Sequence, residues 1–193
     1  MDTPYPCFKK ITPNGFLLNM INWHLNQLLK RYSKIQAFRI DFNYLPDTRR
    51  HEENAPDRLQ QDMRELTEKM MCIPGVIGHF WVIEWTQTGR IHSHCVFYLN
   101  GQKHKKSFPF IELTGDLWAC ITERQGRHKW SHIEKYYRDD INNLVDHRDE
   151  ESVHSLRRII SYLAKEEQKD GFLLWGCNEI PEPSGLGKPR TPF

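Results

Sequence analysis

The sequence has no apolar run long enough to cross a membrane, and its first residues do not form the charged start and apolar core of a secretion signal. Five cysteines are scattered without a Cys-x-x-Cys pair, which favours reduced thiols over a disulfide framework. The net charge is only +2, so any binding of nucleic acid must come from local patches. With 193 residues and no internal repeat, we expect one main domain in a cytoplasmic protein without a membrane partner.

What the sequence does contain is a strong β-hairpin pattern over residues 75–101, where two β-branched and aromatic runs flank a turn at Gly89. Side chains alternate along a strand, so His92 and His94 share one face. A three-residue loop places Glu84 directly opposite His92, with Cβ atoms roughly 5 Å apart. Two imidazoles and a carboxylate could then hold one cation and leave positions open for a substrate, which is typical of a catalytic metal site.

The clearest helix covers residues 152–169, with Ser152 as its N-cap. Arg158, Tyr162 and Lys165 recur on one side of it, about one turn apart. Tyrosine can act as a covalent nucleophile, but it is weak unless cations lie nearby and its electrophile is activated. A phosphodiester polarised by a metal at the hairpin would supply that electrophile. The two groups together predict attack of Tyr162 on a phosphodiester, with Arg158 and Lys165 neutralising the charge that develops.

The remaining elements follow from periodicity and turn residues. We expect helices over 16–32, 54–71 and 110–122, strands over 36–44 and 140–147, a basic turn over 124–129 and an irregular tail from 176. Asp41 lies on the first of these strands, where a solvent-facing role is favoured over an extra metal contact. The second helix has an acidic face that we expect to be exposed, made of Asp57, Asp62, Glu65 and Glu68.

A basic loop follows the second strand of the hairpin. It carries Lys103, Lys105 and Lys106. Basic loops are commonly just solvated, but one that leaves a strand with candidate metal ligands is a candidate grip for a nucleic-acid backbone.

The order of these motifs resembles that of the HUH endonucleases of rolling-circle replication. That family carries a strand His-x-His, here HSH at residues 92–94, followed by Tyr-x-x-Lys on a helix, here YLAK at residues 162–165. Glu84, eight residues before the first histidine, matches the acidic third ligand of several such replication proteins. More narrowly, the chain is similar to inovirus-type replication proteins of phages and prophages over about residues 36–190.

This resemblance implies an α+β fold of the ferredoxin-like or RRM-like type, with the histidine pair on a central strand of an antiparallel sheet and helices on one face. We expect an N-terminal arm and helix over 1–35, an endonuclease domain over 36–175 and an irregular tail over 176–193. The resemblance also implies Mg²⁺ or Mn²⁺, cleavage of single-stranded origin DNA, and a 5′-phosphotyrosine link on Tyr162. A host helicase would unwind the duplex, and the protein would act as a monomer or weak homo-oligomer in the cytoplasm of a bacterial or phage-infected cell.

Two residues depart from the family pattern. Ser93 stands where a hydrophobic residue is expected between the histidines, which predicts that this face is less deeply buried. Glu166 stands one turn after Tyr162, where two-tyrosine phage initiators carry a second tyrosine, and this implies a single-tyrosine cycle. Relaxases place their tyrosine ahead of the histidine pair, so the order of the motifs disfavours a relaxase.

Three other functions stay open from the sequence. A single-strand transposase with the same His-x-His and tyrosine chemistry is the nearest alternative. A non-catalytic regulator could bind DNA or RNA through basic loops and exposed aromatic residues, although it would not need the full set of Glu84, His92, His94 and Tyr162. A zinc hydrolase could use the two histidines and the glutamate, but it gives Tyr162 no role.

Overall fold

The computed structural model describes residues 15–85, 88–130, 143–164 and 174–182. Within these ranges the helices are α1 (Gly15–Arg31), α2 (Arg49–Glu53), α3 (Pro56–Met71), α4 (Phe108–Ile121) and α5 (Glu150–Ser161), which continues into a 3₁₀ turn at Tyr162–Ala164. The strands form one antiparallel sheet: β1 (Lys34–Tyr44), β2 (Val76–Trp85), β3 (Ile91–Asn100), β4 (Gly126–Trp130), β5 (Val145–Asp146) and β6 (Leu174–Cys177). These elements confirm the expected α+β fold of the ferredoxin-like type.

β3 lies in the middle of the sheet, whose strand order is β4-β1-β3-β2-β6, with β5 paired to the first residues of β1. The hairpin of β2 and β3 has the predicted register, with Glu84 opposite His92 and Val82 opposite His94. On its other side β3 pairs with β1, where Asp41 is opposite His94. The register is strongly determined, because a slip by one residue would turn every side chain of β3 to the wrong face.

Helices cover both faces of the sheet, which corrects the expectation of helices on one face. On one face α1 and α5 pack through an apolar cluster that includes Leu25, Val96 and Ile160. On the other face α3 and α4 pack through a second cluster that includes Phe97 and Trp118. Almost every residue of β3 is buried, so its side chains need an apolar cover on each side of the sheet.

Both ends of the described chain pack onto β2. His24 of α1 is fully buried, and its ring lies near those of Phe80 and Tyr98, with centroids 6.0 and 5.8 Å away. Nε2 of His24 is 3.2 Å from Oδ1 of Asn178, and the same oxygen accepts the backbone N–H of His79 at 2.8 Å. The residues after β6 are therefore tied to α1 and β2, while the expected domain boundaries stay a prediction.

Short elements account for most of the differences from the sequence expectations. α2 is an additional helix, and Asn54 is its left-handed C-cap (φ 44°), so α3 begins at Pro56 without a side-chain cap. The basic segment expected as a turn contains strand β4, and the segment expected to be irregular from 176 contains the last residues of β6. Elements of five residues or fewer are too short to produce a clear hydrophobic period.

α5 begins and ends earlier than predicted. Its N-cap is Asp149, whose side chain accepts from the backbone N–H groups of Glu151 and Ser152. The α-helix ends at Ser161, so Tyr162 opens the 3₁₀ turn. The strand expected over 140–147 is represented by β5, and the parts of the predictions that concern residues 1–14, 86–87, 131–142, 165–173 and 183–193 lie outside the described residues. Among the described helices, none combines the length and apolar content needed to cross a bilayer.

Asp62 is buried, which corrects its assignment to the exposed acidic face of α3. Its carboxylate accepts hydrogen bonds from Nη1 of Arg50 and from the Tyr44 hydroxyl, the latter at 2.7 Å. This buried pair joins α2 and α3 to β1. The other members of that face are exposed as predicted: Asp57, Glu65 and Glu68.

Candidate active site

The β2–β3 hairpin brings three candidate metal ligands to one point. Glu84, His92 and His94 each offer one ligand atom, and these atoms all lie within 4.8 Å of one another. The Nε2 atoms of the two histidines are 3.0 Å apart, and Nε2 of His94 is 3.6 Å from Oε2 of Glu84. The cluster follows from the register, because opposite and alternate positions on paired strands share one face.

The donor set of this cluster fits a divalent cation. Imidazole nitrogens are ligands for transition metals such as Mn²⁺ and Zn²⁺, and carboxylate oxygens also suit Mg²⁺. Ligand atoms at neighbouring corners of an octahedron with bonds of about 2.1 Å are about 3.0 Å apart, and this equals the separation of the two histidine nitrogens. Three protein ligands would leave coordination positions for a substrate and water.

Burial shapes the protonation of the cluster. Glu84 is fully buried and His94 is 5% exposed, whereas His92 is half-buried. Burial, and after it the positive charge of His94, lowers the pKa of His92 to about 4. His92 is therefore neutral near pH 7, and an imidazole lone pair is available for a cation.

Asp41 orients His94 from behind. Its Oδ1 atom lies 2.7 Å from Nδ1 of His94. Arg39 donates to the same carboxylate, from Nε to Oδ1 at 3.0 Å and from Nη2 to Oδ2 at 3.2 Å. Nη2 of Arg39 is also 2.9 Å from Nδ1 of His94. Because a guanidinium can only donate, the shorter contact with the carboxylate favours a proton on Nδ1, which leaves the Nε2 lone pair directed at the ligand cluster.

The placement of Asp41 corrects its expected solvent-facing role. Its side chain is only 24% exposed and contacts His94 and Arg39. Burial raises the pKa of Asp41, but the charges and hydrogen bonds of His94 and Arg39 outweigh that effect and hold the pKa well below its usual range. Asp41 is therefore an anion, the form that best accepts the N–H of a metal-binding histidine.

Tyr162 lies beside the ligand cluster. Leu156 and Ile160 anchor α5 on the sheet face that also carries His94, and the 3₁₀ turn at the end of α5 presents Tyr162 there. The Tyr162 ring meets the His94 ring edge-on, with centroids 5.7 Å apart. The guanidinium carbon of Arg39 lies 4.4 Å from the centroid of the Tyr162 ring. The structure thus brings the predicted nucleophile and the predicted metal ligands together.

Arg39 is a site residue that the sequence patterns did not single out. Alternation along β1 places it on the same face as Asp41, and its side chain is only 14% exposed. That alternation was the available signal. It could not show which strand lies beside β1, and the pairing of β1 with β3 is what brings Arg39 to the site.

The two cations predicted on the tyrosine helix are placed differently. Arg158 lies on the exposed side of α5, one turn before Tyr162. Lys165 lies outside the described residues. The phosphate-binding roles of Arg158 and Lys165 therefore stay predictions.

The basic loop lies at the far end of β3 from the histidines. Its cations are Lys103, Lys105 and Lys106, all exposed. β3 runs from His94 to its last residue, Asn100, over six steps, and at about 3.3 Å per residue this separates the loop from His94 by about 20 Å. The loop is therefore not adjacent to the ligand cluster.

Ser93 is fully buried, contrary to the expectation of a shallower face. Its hydroxyl donates to the backbone carbonyl oxygen of Val82 at 3.2 Å. The hydrogen bond satisfies the polar group, so a serine can occupy this buried position between the two histidines.

A family model described as replication-associated protein of the ORF2 type matches residues 42–171, about two thirds of the chain. The chain belongs to this replication-associated protein family. The matched segment contains the three hairpin ligands and Tyr162, whereas Arg39 and Asp41 lie just before it. Neither a curated protein nor a solved structure matches the chain. Membership in the replication-associated family supports the Rep-type resemblance of the sequence.

Proposed function

We propose that the chain is a metal-dependent endonuclease and ligase for single-stranded DNA that initiates rolling-circle replication by nicking an origin. The observation that carries this proposal is the contact of Tyr162 with His94, because it sets a nucleophile beside the candidate metal ligands. Membership in the replication-associated family supports replication as the process. Unwinding of the duplex would fall to a host helicase.

Glu84, His92 and His94 would hold Mg²⁺ or Mn²⁺, which would polarise the scissile phosphodiester as a Lewis acid. The chain prepares these ligands before any cation binds. Glu84 is buried, and His94 is oriented by its contact with Asp41, so little rearrangement accompanies binding. Because imidazole nitrogens prefer transition metals, we expect Mn²⁺ to bind more tightly than Mg²⁺.

The proposed covalent step exchanges one phosphate ester for another. The Oη atom of Tyr162 attacks the phosphorus, the bond from phosphorus to the 3′ oxygen breaks, and the phenolic proton passes through solvent to that leaving oxygen. The products are a 5′-phosphotyrosine on Tyr162 and a free 3′ hydroxyl. Since the phosphate remains an ester, a 3′ hydroxyl can attack it in turn and reseal or join the strand.

Arg39 would act as a positioning residue for this step. Its guanidinium lies over the Tyr162 ring at cation–π distance and is held there by Asp41. The positive charge would also stabilise the negative charge that develops near the phenolic oxygen during attack. Arg158 and Lys165 would bind the oxygens of the phosphate.

The test is the capture of a covalent protein–DNA adduct. Purified protein with Mn²⁺ is given single-stranded fragments from both strands around its own gene and is then run on a denaturing gel. We expect an SDS-resistant adduct with a fragment that contains the origin. The adduct should disappear in Tyr162→Phe, because the nucleophilic oxygen is lost, and in EDTA, because the cation is removed.

Tyr32→Phe is the matched control, since it removes a tyrosine hydroxyl just after α1 and away from the cluster. This variant should form the adduct like the parent protein. An adduct that persists in Tyr162→Phe would contradict the assignment of the nucleophile. Tight binding of every fragment without any adduct would favour a non-catalytic regulator, and cleavage without an adduct that is insensitive to Tyr162→Phe would favour a metal hydrolase.

A further inference from the structure

Two cations of β4 lie in line with the candidate site. Lys129 pairs with Asp41, and Asp41 pairs with His94. Arg127 pairs with Asn43, two residues further along β1. Directly paired residues of an antiparallel sheet project to the same face. Arg127 and Lys129 therefore lie on the sheet face that carries the ligand cluster.

The contacts of β4 agree with this alternation. His128, between the two cations, lies against Gly115 of α4, on the opposite face, where an added Cβ would be 2.4 Å from the His128 ring. Arg127 and Lys129 are both exposed. With its amide oxygen toward Nη2 of Arg127 (3.3 Å) and its nitrogen donating to the Arg127 carbonyl oxygen (3.2 Å), Asn43 holds Arg127 over this face.

β4 is also the nearer of two cationic groups. In the described part of the chain β4 ends the strand order, one strand beyond β1 and two beyond β3. Two spacings of about 4.8 Å place the Cα atom of Lys129 about 10 Å from that of His94. The basic loop after β3 is about twice as far away. A phosphate next to one held at the ligand cluster is therefore within reach of β4 and not of that loop.

We propose that Arg127 and Lys129 bind backbone phosphates of the single DNA strand on one side of the cleaved phosphate. The inference rests on the proposed function, because that function puts the cleaved phosphate at the hairpin ligands. Charge complementarity selects the occupant. Asp41 and Glu84 give the site two carboxylates that repel a polyanion, and the exposed cations of β4 offset this repulsion along the path of the strand.

Contacts to phosphates position a strand without reading its sequence. Removal of the β4 cations should therefore weaken binding of unrelated sequences alike. It should also reduce the salt dependence of binding, because each neutralised phosphate releases condensed counterions. These two signatures distinguish a backbone contact from a contact to a base.

The experiment measures the Kd of fluorescent single-stranded oligonucleotides of two unrelated sequences by anisotropy over a series of NaCl concentrations. The full chain carries Tyr162→Phe, so that no covalent adduct disturbs the equilibrium. Adding Arg127→Gln and Lys129→Gln should weaken binding of both oligonucleotides roughly tenfold. The slope of log K against log salt should become shallower by about 1.4, or about 0.7 for each phosphate that the variant no longer neutralises.

Arg64→Gln with Lys69→Gln is the matched control. It removes the same two residue types and the same charge from the exposed side of α3, which packs on the opposite face of the sheet. This variant should keep the salt slope of its parent. Lys105→Gln with Lys106→Gln tests the basic loop and should cost less affinity than the β4 variant.

Three results would overturn the inference: an unchanged Kd and slope in the β4 variant, a loss of affinity equal to that of the α3 variant, or a larger loss of affinity in the basic-loop variant. Failure of the proposed function looks different. A protein with Tyr162 intact that binds DNA but forms no adduct contradicts the proposed function. A protein that forms the adduct, and whose β4 variant binds and cleaves as well as it does, contradicts this inference alone.

Discussion

Arg39 contacts both halves of the candidate site, so its substitution separates the placement of the nucleophile from the binding of the cation. It donates to Asp41 behind His94 and stacks over the ring of Tyr162. Arg39 offers no ligand atom of its own, since a guanidinium has no lone pair for a metal. Its loss should therefore be felt at Tyr162 more than at the cation.

We predict that Arg39→Gln slows adduct formation roughly tenfold, which is the size of a partly buried cation–π contact. Calorimetric titration with Mn²⁺ should show a much smaller change, because Glu84, His92 and His94 are intact. Arg39→Lys should not restore the rate, since an ammonium group lacks the planar fork that grips a carboxylate while stacking on a ring.

Arg148→Gln is the control for this prediction, because Arg148 is 76% exposed and pairs with Asp146 at the surface. It should leave both the rate and the Mn²⁺ affinity unchanged. If Arg39→Gln weakened Mn²⁺ binding as much as it slowed the reaction, Arg39 would support the metal ligands rather than the nucleophile.

At the scale of elements, a buried ion pair joins α2 and α3 to β1 and to the end of α4. Arg50 donates from Nη1 to the carboxylate of Asp62 and from Nη2 to the carbonyl oxygen of Ile121, the latter at 3.0 Å. Burial and the Asp62 carboxylate raise the pKa of Tyr44 far above its usual range, so its hydroxyl remains a donor to that carboxylate. Arg50 and Asp62 are 1% and 4% exposed, so water cannot replace either partner.

Arg50→Met should lower the free energy of unfolding by about 3–5 kcal/mol, the usual cost of leaving one member of a buried ion pair without its partner. Nε of Arg58, 3.5 Å from Asp62, places the expectation toward the lower end of that range. Urea unfolding followed by tryptophan fluorescence would measure it. Arg49→Met is the neighbouring control, since the Arg49 side chain is 67% exposed and pairs with Glu53 at the surface. Equal midpoints for the two variants would show that the buried pair contributes little.

At the scale of the whole molecule, two buried histidines couple stability to pH. Burial lowers the pKa of His24 to about 4, against the raising effect of Asn178, and burial with the charge of His24 lowers the pKa of His79 to about 3. In the unfolded chain a histidine titrates near pH 6.5. Below that pH the unfolded chain binds more protons than the folded one, so stability falls as the pH decreases.

We therefore predict that the free energy of unfolding is constant from this source above pH 6.5 and falls between about pH 6.5 and 4, by roughly 3 kcal/mol for His24. His24→Leu should remove that part of the decrease. His154→Leu should keep it, because His154 is exposed on α5. Urea titrations at several pH values would test this, and parallel pH curves for all three proteins would contradict it.

The parts of this protein that could be predicted from its sequence depend on residues close together in the chain. The period of two along the hairpin predicted its register, and with it the meeting of Glu84, His92 and His94. The apolar stripes of α1, α3 and α4 predicted these helices to within a few residues. Local pattern was weaker where two caps competed, so Asp149 rather than Ser152 begins α5.

The sequence by itself thus determined the hairpin, the long helices and the identity of three candidate ligands, because backbone geometry and alternation act over a few residues. Only the tertiary structure decided that Asp41 lies behind His94, 53 positions away, and that Tyr162 and Arg39 join them. It also decided that helices cover both faces of the sheet and that β4, not the basic loop, lies near the site. These features depend on which strands pair and which faces are buried, and that choice is made by long-range packing of the whole chain.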